Sequence, residues 1–121
     1  MADKKKPAFP RPKWPPIQDL ESVDLVAKRK DGGVDLHIVA SQPLDDADDT
    51  LDSIRDKVSY YLDVIDLDEF QEEMGHPPRS KTCIMLSCDH LIHPRAEAVI
   101  AECQAATRNR GVKLVVQRQE A

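Results

Sequence analysis

Apolar positions along the chain recur with two different spacings. In VDLVAKRKDGGVDLHIVAS, residues 23–41, they alternate with polar ones on either side of Asp31-Gly32, the pattern of a β-hairpin. Treated as a two-residue loop, Asp31-Gly32 sets Val23, Leu25 and Ala27 opposite Ala40, Ile38 and Leu36, all apolar and on one face. On the other face Lys28 then meets Asp35, and Val26 meets His37. A slip of one residue turns a strand over. This register therefore predicts that the Leu25 side of the first strand faces the core.

The spacing changes after residue 48. Leu51, Ile54, Val58, Tyr61, Leu62 and Ile65 fall at helical intervals, with Asp48 or Asp49 in a position to cap the helix. LDEFQEEMG, residues 67–75, continues that helix or adds a short turn of another, ending at Gly75. TCIMLSC, residues 82–88, is an unbroken apolar run of the kind found in a strand covered or paired on most sides. A second long helix is predicted after Pro94, with Ala96, Val99, Ile100, Cys103 and Ala106 inward and Gly111 as its stop. A last strand, VKLVVQRQ, carries Val112, Leu114 and Val116 on one side. The order is ββαβαβ. If the sheet steps through its strands in chain order, right-handed crossovers place both helices on one face of a four-stranded mixed sheet, an α/β (α+β) two-layer sandwich with the first strand as an antiparallel edge.

Composition fills in the surroundings. At 121 residues, 40% hydrophobic and 32% charged, the chain is long enough for one core and reads as a soluble globular domain over 17–121. Residues 1–16 hold five of the nine prolines and read as a basic, extended arm, mobile unless Phe9 and Trp14 anchor it to the domain or to a partner. The basic start lacks the apolar stretch of a secretory signal, and no apolar run is long enough to span a bilayer. Three cysteines, an odd number, suit a reducing cytoplasm rather than a disulfide framework.

Charge is unevenly distributed. Residues 45–73 carry twelve acids against Arg55 and Lys57, a balance of −10, while 1–16 balance at +4. Such an acidic block repels phosphate backbones, so the folded part is not expected to bind nucleic acid. A solvated helix face is the plain explanation of the block. The alternative is a surface for a basic partner, with Asp52, Asp56 and Asp63 outward.

Candidate chemistry concentrates in SCDHLIHPRAE, residues 87–97, at the carboxyl end of a strand entering a helix. Cys88, His90 and His93 could serve a thiol nucleophile or a metal, but the spacing C-x-H-x2-H matches no closed zinc site. Cys83, five residues back along the strand, lies about 17 Å away at ~3.3 Å per residue. The plainer reading is a small buried strand residue followed by two polar loop histidines. No glycine-rich phosphate loop is present, and no cofactor is implied. His37 is the one oddity on the outer sheet face. With Val26, Val39 and Val115 it would form an exposed apolar stripe, unless Phe9 and Trp14 of the arm cover it.

Residues 23–65, with the hairpin, the LHIV strand and a helix carrying KVSYYLDVI, resemble a family of small uncharacterised bacterial proteins, a domain of unknown function. The later RGVKLVV is similar too, so the resemblance spans about residues 23–116. It implies a ββαβαβ domain and brings no activity or catalytic residue. The functional expectation is a non-catalytic module that binds a protein partner or a second copy of itself, as inhibitor or immunity proteins do. A thiol- or metal-dependent enzyme at Cys88, His90 and His93 is the competing expectation.

Overall fold

A computed structural model describes residue 9 and residues 14–118. Most of the arm predicted over 1–16 lies outside the described residues. The element order is β1 (Leu25–Lys28), β2 (Val34–Ala40), α1 (Asp48–Ile65), α2 (Asp68–Met74), a single 3-10 turn (Arg79–Lys81), β3 (Thr82–Cys88), α3 (Pro94–Asn109) and β4 (Lys113–Gln117). The sheet runs β1-β2-β3-β4 in space, with β1 antiparallel to β2 and the other pairs parallel. The predicted four-stranded mixed sheet is therefore the observed one.

Strand alternation builds the core. Val34, Leu36, Ile38 and Ala40 of β2 and Ile84, Leu86 and Cys88 of β3 are buried together, with Leu114 of β4 beside them. Against them pack Leu51, Ile54, Val58, Tyr61, Leu62 and Ile65 of α1, and Ala96, Val99, Ile100 and Cys103 of α3. The inward face of α1 is the predicted one, with two additions, Thr50 and Lys57. On α3 the last inward position is Thr107, whose hydroxyl donates to the Gln104 carbonyl, while Ala106 is exposed. Neither Asp48 nor Asp49 caps α1. The cap position is Ala47 without a side-chain bond, and both aspartates sit in the first turn, where they complement the helix dipole.

The hairpin register differs from expectation by one residue. Leu25 pairs with His37, Val26 with Leu36, Ala27 with Asp35 and Lys28 with Val34. The loop is Lys30-Asp31-Gly32, closed by Arg29 N–H donating to the Gly33 carbonyl and Gly32 N–H to the Arg29 carbonyl. Gly32 takes the left-handed conformation at φ 89°, as a turn ending in a bulge requires. Asp31 explains the extra residue. Its carboxylate accepts the Gly33 amide at 2.9 Å and the Arg29 guanidinium at 3.2 Å, an Asx turn two residues long that outweighs cross-strand apolar pairing. As a consequence Val26 packs on the core beside Leu36, and Leu25 and Ala27 face outward.

The loops at the carboxyl end of the parallel strands are stitched together by the main chain. Leu44 N–H donates to the Leu91 carbonyl at 3.0 Å, and His93 N–H to the Leu44 carbonyl at 2.8 Å. Leu44 and Ile92 bury their side chains beneath this bridge. At the opposite end of the sheet, Asp66 after α1 accepts from both Arg79 and Arg110, joining the ends of α1 and α3. No described helix is long and apolar enough to cross a membrane.

Candidate functional site: the open sheet face

Both long helices lie on one side of the sheet, and among the described residues no helix covers the other. Register places its side chains in rows. Leu25, His37, Met85 and Val115 form a central row across all four strands, with Ala27, Asp35, Cys83 and Lys113 on one side. Val39, Ser87 and Gln117 lie on the other. Leu25 is 56% exposed and Val39 48%, while His37, Met85 and Val115 are half-buried by their neighbours. An antiparallel edge or open sheet face ordinarily alternates to polar residues on its wet side. Here an apolar band crosses the sheet, interrupted only by an imidazole.

Of the residues expected to form this stripe, His37, Val39 and Val115 are on it. Val26 is not, because the bulged turn swings it to the helix side and puts Leu25 in its place. Phe9 and Trp14 do not cover it either. Phe9 meets the His93 ring edge-on at 5.2 Å, and Trp14 sits beside the start of α1, both at the carboxyl end of the sheet. Pro16 and Ile17 are already buried, and Ser41 N–H donates to the Pro16 carbonyl at 3.0 Å. Pro16 is thus the first buried residue among those described.

The backbone under the open face is held by a buried polar cluster that pattern reading missed. Lys57 on α1 is fully buried, and its ammonium donates to the carbonyls of Gln18 at 2.8 Å, Asp19 at 2.6 Å and Ser22 at 2.9 Å. It also pairs with Asp24 at 3.0 Å. The other Asp24 oxygen accepts Val39 N–H at 2.9 Å, and one helical turn beyond Lys57 the Tyr61 hydroxyl accepts Asp24 N–H at 2.8 Å and donates to the His37 carbonyl. Burial pushes the Tyr61 hydroxyl up to about 12. The signal for this cluster was present in the sequence: a lysine at the inward position between Ile54 and Val58, one turn before an inward tyrosine. A lysine there needs full pairing, which only the chain folding back from residues 17–24 supplies.

The Cys88, His90 and His93 stretch does not converge. Cys88 is 1% exposed beneath the helices, its Sγ 3.5 Å from the His90 carbonyl, and burial pushes its thiol up. His90 is exposed. His93 caps α3, its Nδ1 accepting Arg95 N–H at 3.0 Å, so its Nε2 faces Asp46 at 3.8 Å. Its basic lone pair is thereby committed to the helix. Among the described residues no group of three or more His, Cys, Asp or Glu could hold a metal ion, and no buried side-chain polar atom lacks a hydrogen-bond partner. Cys83, Cys88 and Cys103 are buried free thiols. On α1, Asp52, Asp56 and Asp63 are exposed, with Asp52 at 3.2 Å from Arg55, which also binds Glu102 of α3 at 3.0 Å.

A family model matches residues 16–120, starting at the residue where the chain becomes buried. The chain belongs to a family of unknown function, DUF6572. The match takes in the hairpin, both long helices and all four strands of the DUF6572 domain, so the open face and the Lys57 cluster lie within it. No curated protein and no solved structure matches.

Proposed function

We propose that this DUF6572 domain is a non-catalytic protein-interaction module of the bacterial cytoplasm, and that its contact surface is the open face of the sheet. The observation that carries the reading is the apolar band Leu25, Val39, Met85 and Val115 on a face that no described helix covers. Exposed apolar bands rimmed by charge are characteristic of protein contact surfaces, and here Arg29, Asp35 and Lys113 supply the rim. The occupant is an apolar surface of another protein chain, a second copy included. The acidic face of α1 serves the same role at longer range, steering a basic partner toward the domain. The competing thiol-enzyme reading has a buried, protonated Cys88 and a His93 already engaged against it. Buried free thiols at Cys83, Cys88 and Cys103 accord with a cytoplasmic setting.

The experiment is a pair of charges placed on the band. Leu25→Glu with Val39→Glu alters two exposed side chains and leaves the core intact. The tagged wild type, chromatographed from the native cell, should elute in a complex larger than its own mass, and the double variant should elute as a monomer. A wild type at monomer mass, or a complex indifferent to both charges, would overturn the proposal.

A further inference from the structure

Trp14, the only tryptophan of the chain, is 51% exposed although it has a concave surface beside it. With Pro15 and Pro16 it lines one side of a cleft of about 370 Å3 whose other side is the start of α1 and the loop before it, including Asp45, Asp49 and Thr50. Among the described residues no lysine or arginine lines it. Asp45 is buried and accepts the Thr50 hydroxyl, so the floor is fixed, whereas Asp49 stands exposed at the rim. An indole left half in water beside rigid prolines is the usual form of an interface anchor.

Charge decides what the cleft accepts. The amino end of a helix alone would attract an anion, but Asp48 and Asp49 occupy its first turn, and Asp45 and Asp46 precede it. Of these, Asp45 and Asp49 line the cleft, so an anionic ligand would meet their carboxylates. A cation meets the same carboxylates and the electron-rich face of an indole, two attractions that reinforce each other in a partly dehydrated cleft. We propose that this cleft binds the cationic side chain of an arginine- or lysine-bearing protein segment, stacked on Trp14 and paired with Asp49. The site is separate from the open sheet face and stands or falls without it.

Because Trp14 is the sole tryptophan, its emission reports the cleft directly. Full-length protein at low ionic strength is titrated with hexa-arginine, and with hexa-glutamate as the opposite charge. Hexa-arginine should change Trp14 emission saturably and hexa-glutamate should not. Asp49→Asn should weaken binding by about tenfold, the size expected of one carboxylate–cation contact. Asp63→Asn, about 21 Å along α1 at ~1.5 Å per residue, should leave it nearly unchanged. Trp14→Phe, followed by calorimetry, should weaken it too, since phenylalanine is the poorer partner for a cation. Absence of a saturable change, or equal weakening by Asp49→Asn and Asp63→Asn, would overturn the proposal. So would a protein that binds hexa-arginine only after Lys4, Lys5, Lys6, Arg11 and Lys13 are neutralised, since the chain's own arm would then be the occupant.

Discussion

Replacing Lys57 by methionine keeps the length of the side chain and removes its charge and three donors. In the folded protein the ammonium satisfies the Gln18, Asp19 and Ser22 carbonyls and pairs with Asp24, so the substitution orphans four acceptors at once. Removing one partner of a buried ion pair costs about 3–5 kcal/mol. The Asp24 side chain retains 22% exposure and can recover some water, which lowers the expected loss to roughly 2–4 kcal/mol. Against a total stability of about 5–15 kcal/mol that is a large fraction. Urea unfolding followed by far-UV circular dichroism should show the midpoint falling by about 1–2 M. Asp24→Asn should cost less. The double variant should reveal a coupling of at least ~1 kcal/mol, because the two side chains lose one shared interaction. Hydrogen exchange should quicken first in residues 17–24, which lose their tether. A Lys57→Met protein within about 0.5 kcal/mol of wild type, or additive single changes, would refute the tether.

Four further outcomes follow from the geometry. Gly33→Ala should cost at least as much as Gly32→Ala, since a Cβ at Gly33 would lie 2.5 Å from the Lys81 carbonyl oxygen while Gly32 has open space and only its φ of 89° against it; urea midpoints of the two variants decide this. Stability should decline as pH rises above the ordinary thiol value, because burial pushes Cys103 up to about 11 and Tyr61 up to about 12, so the unfolded chain loses these protons first; Cys103→Ala should flatten the alkaline end of the curve. Native-buffer labelling of Cys88 by a thiol reagent should be far slower than in urea, and rapid labelling would favour the enzyme reading. Lys at Asp52, Asp56 and Asp63 together should leave the fold intact and slow association with the partner most at low salt, as measured by stopped flow.

What the sequence made legible was what periodicity controls. The inward face of α1, the buried run of β3 and the Val112-Leu114-Val116 side of β4 follow from spacing alone, and the shared side of both long helices follows from crossover handedness once the strands stand in chain order, an order that spacing does not give. The hairpin register did not follow, because it depends on whether Asp31 folds back onto the Gly33 amide, and that choice leaves no trace in the apolar pattern. Its effect reaches the candidate site, exchanging Val26 for Leu25 on the open face. Lys57 was hidden for a related reason. A charged residue at an inward helical position reads as an interruption until a distant segment, here 17–24, is seen to supply its acceptors. His37 stood out in the sequence as an unusual outer-face residue, and it lies in the central row of that face.

The most direct test of the interaction surface is a photo-reactive benzoylphenylalanine placed at Val39 on the open face, and separately at the exposed Ala105 on α3, irradiated in the cell that expresses the protein. The account predicts a discrete covalent adduct from position 39, with a second copy or with one other protein, and none from position 105. No adduct from position 39, or the same adduct from both positions, would contradict it.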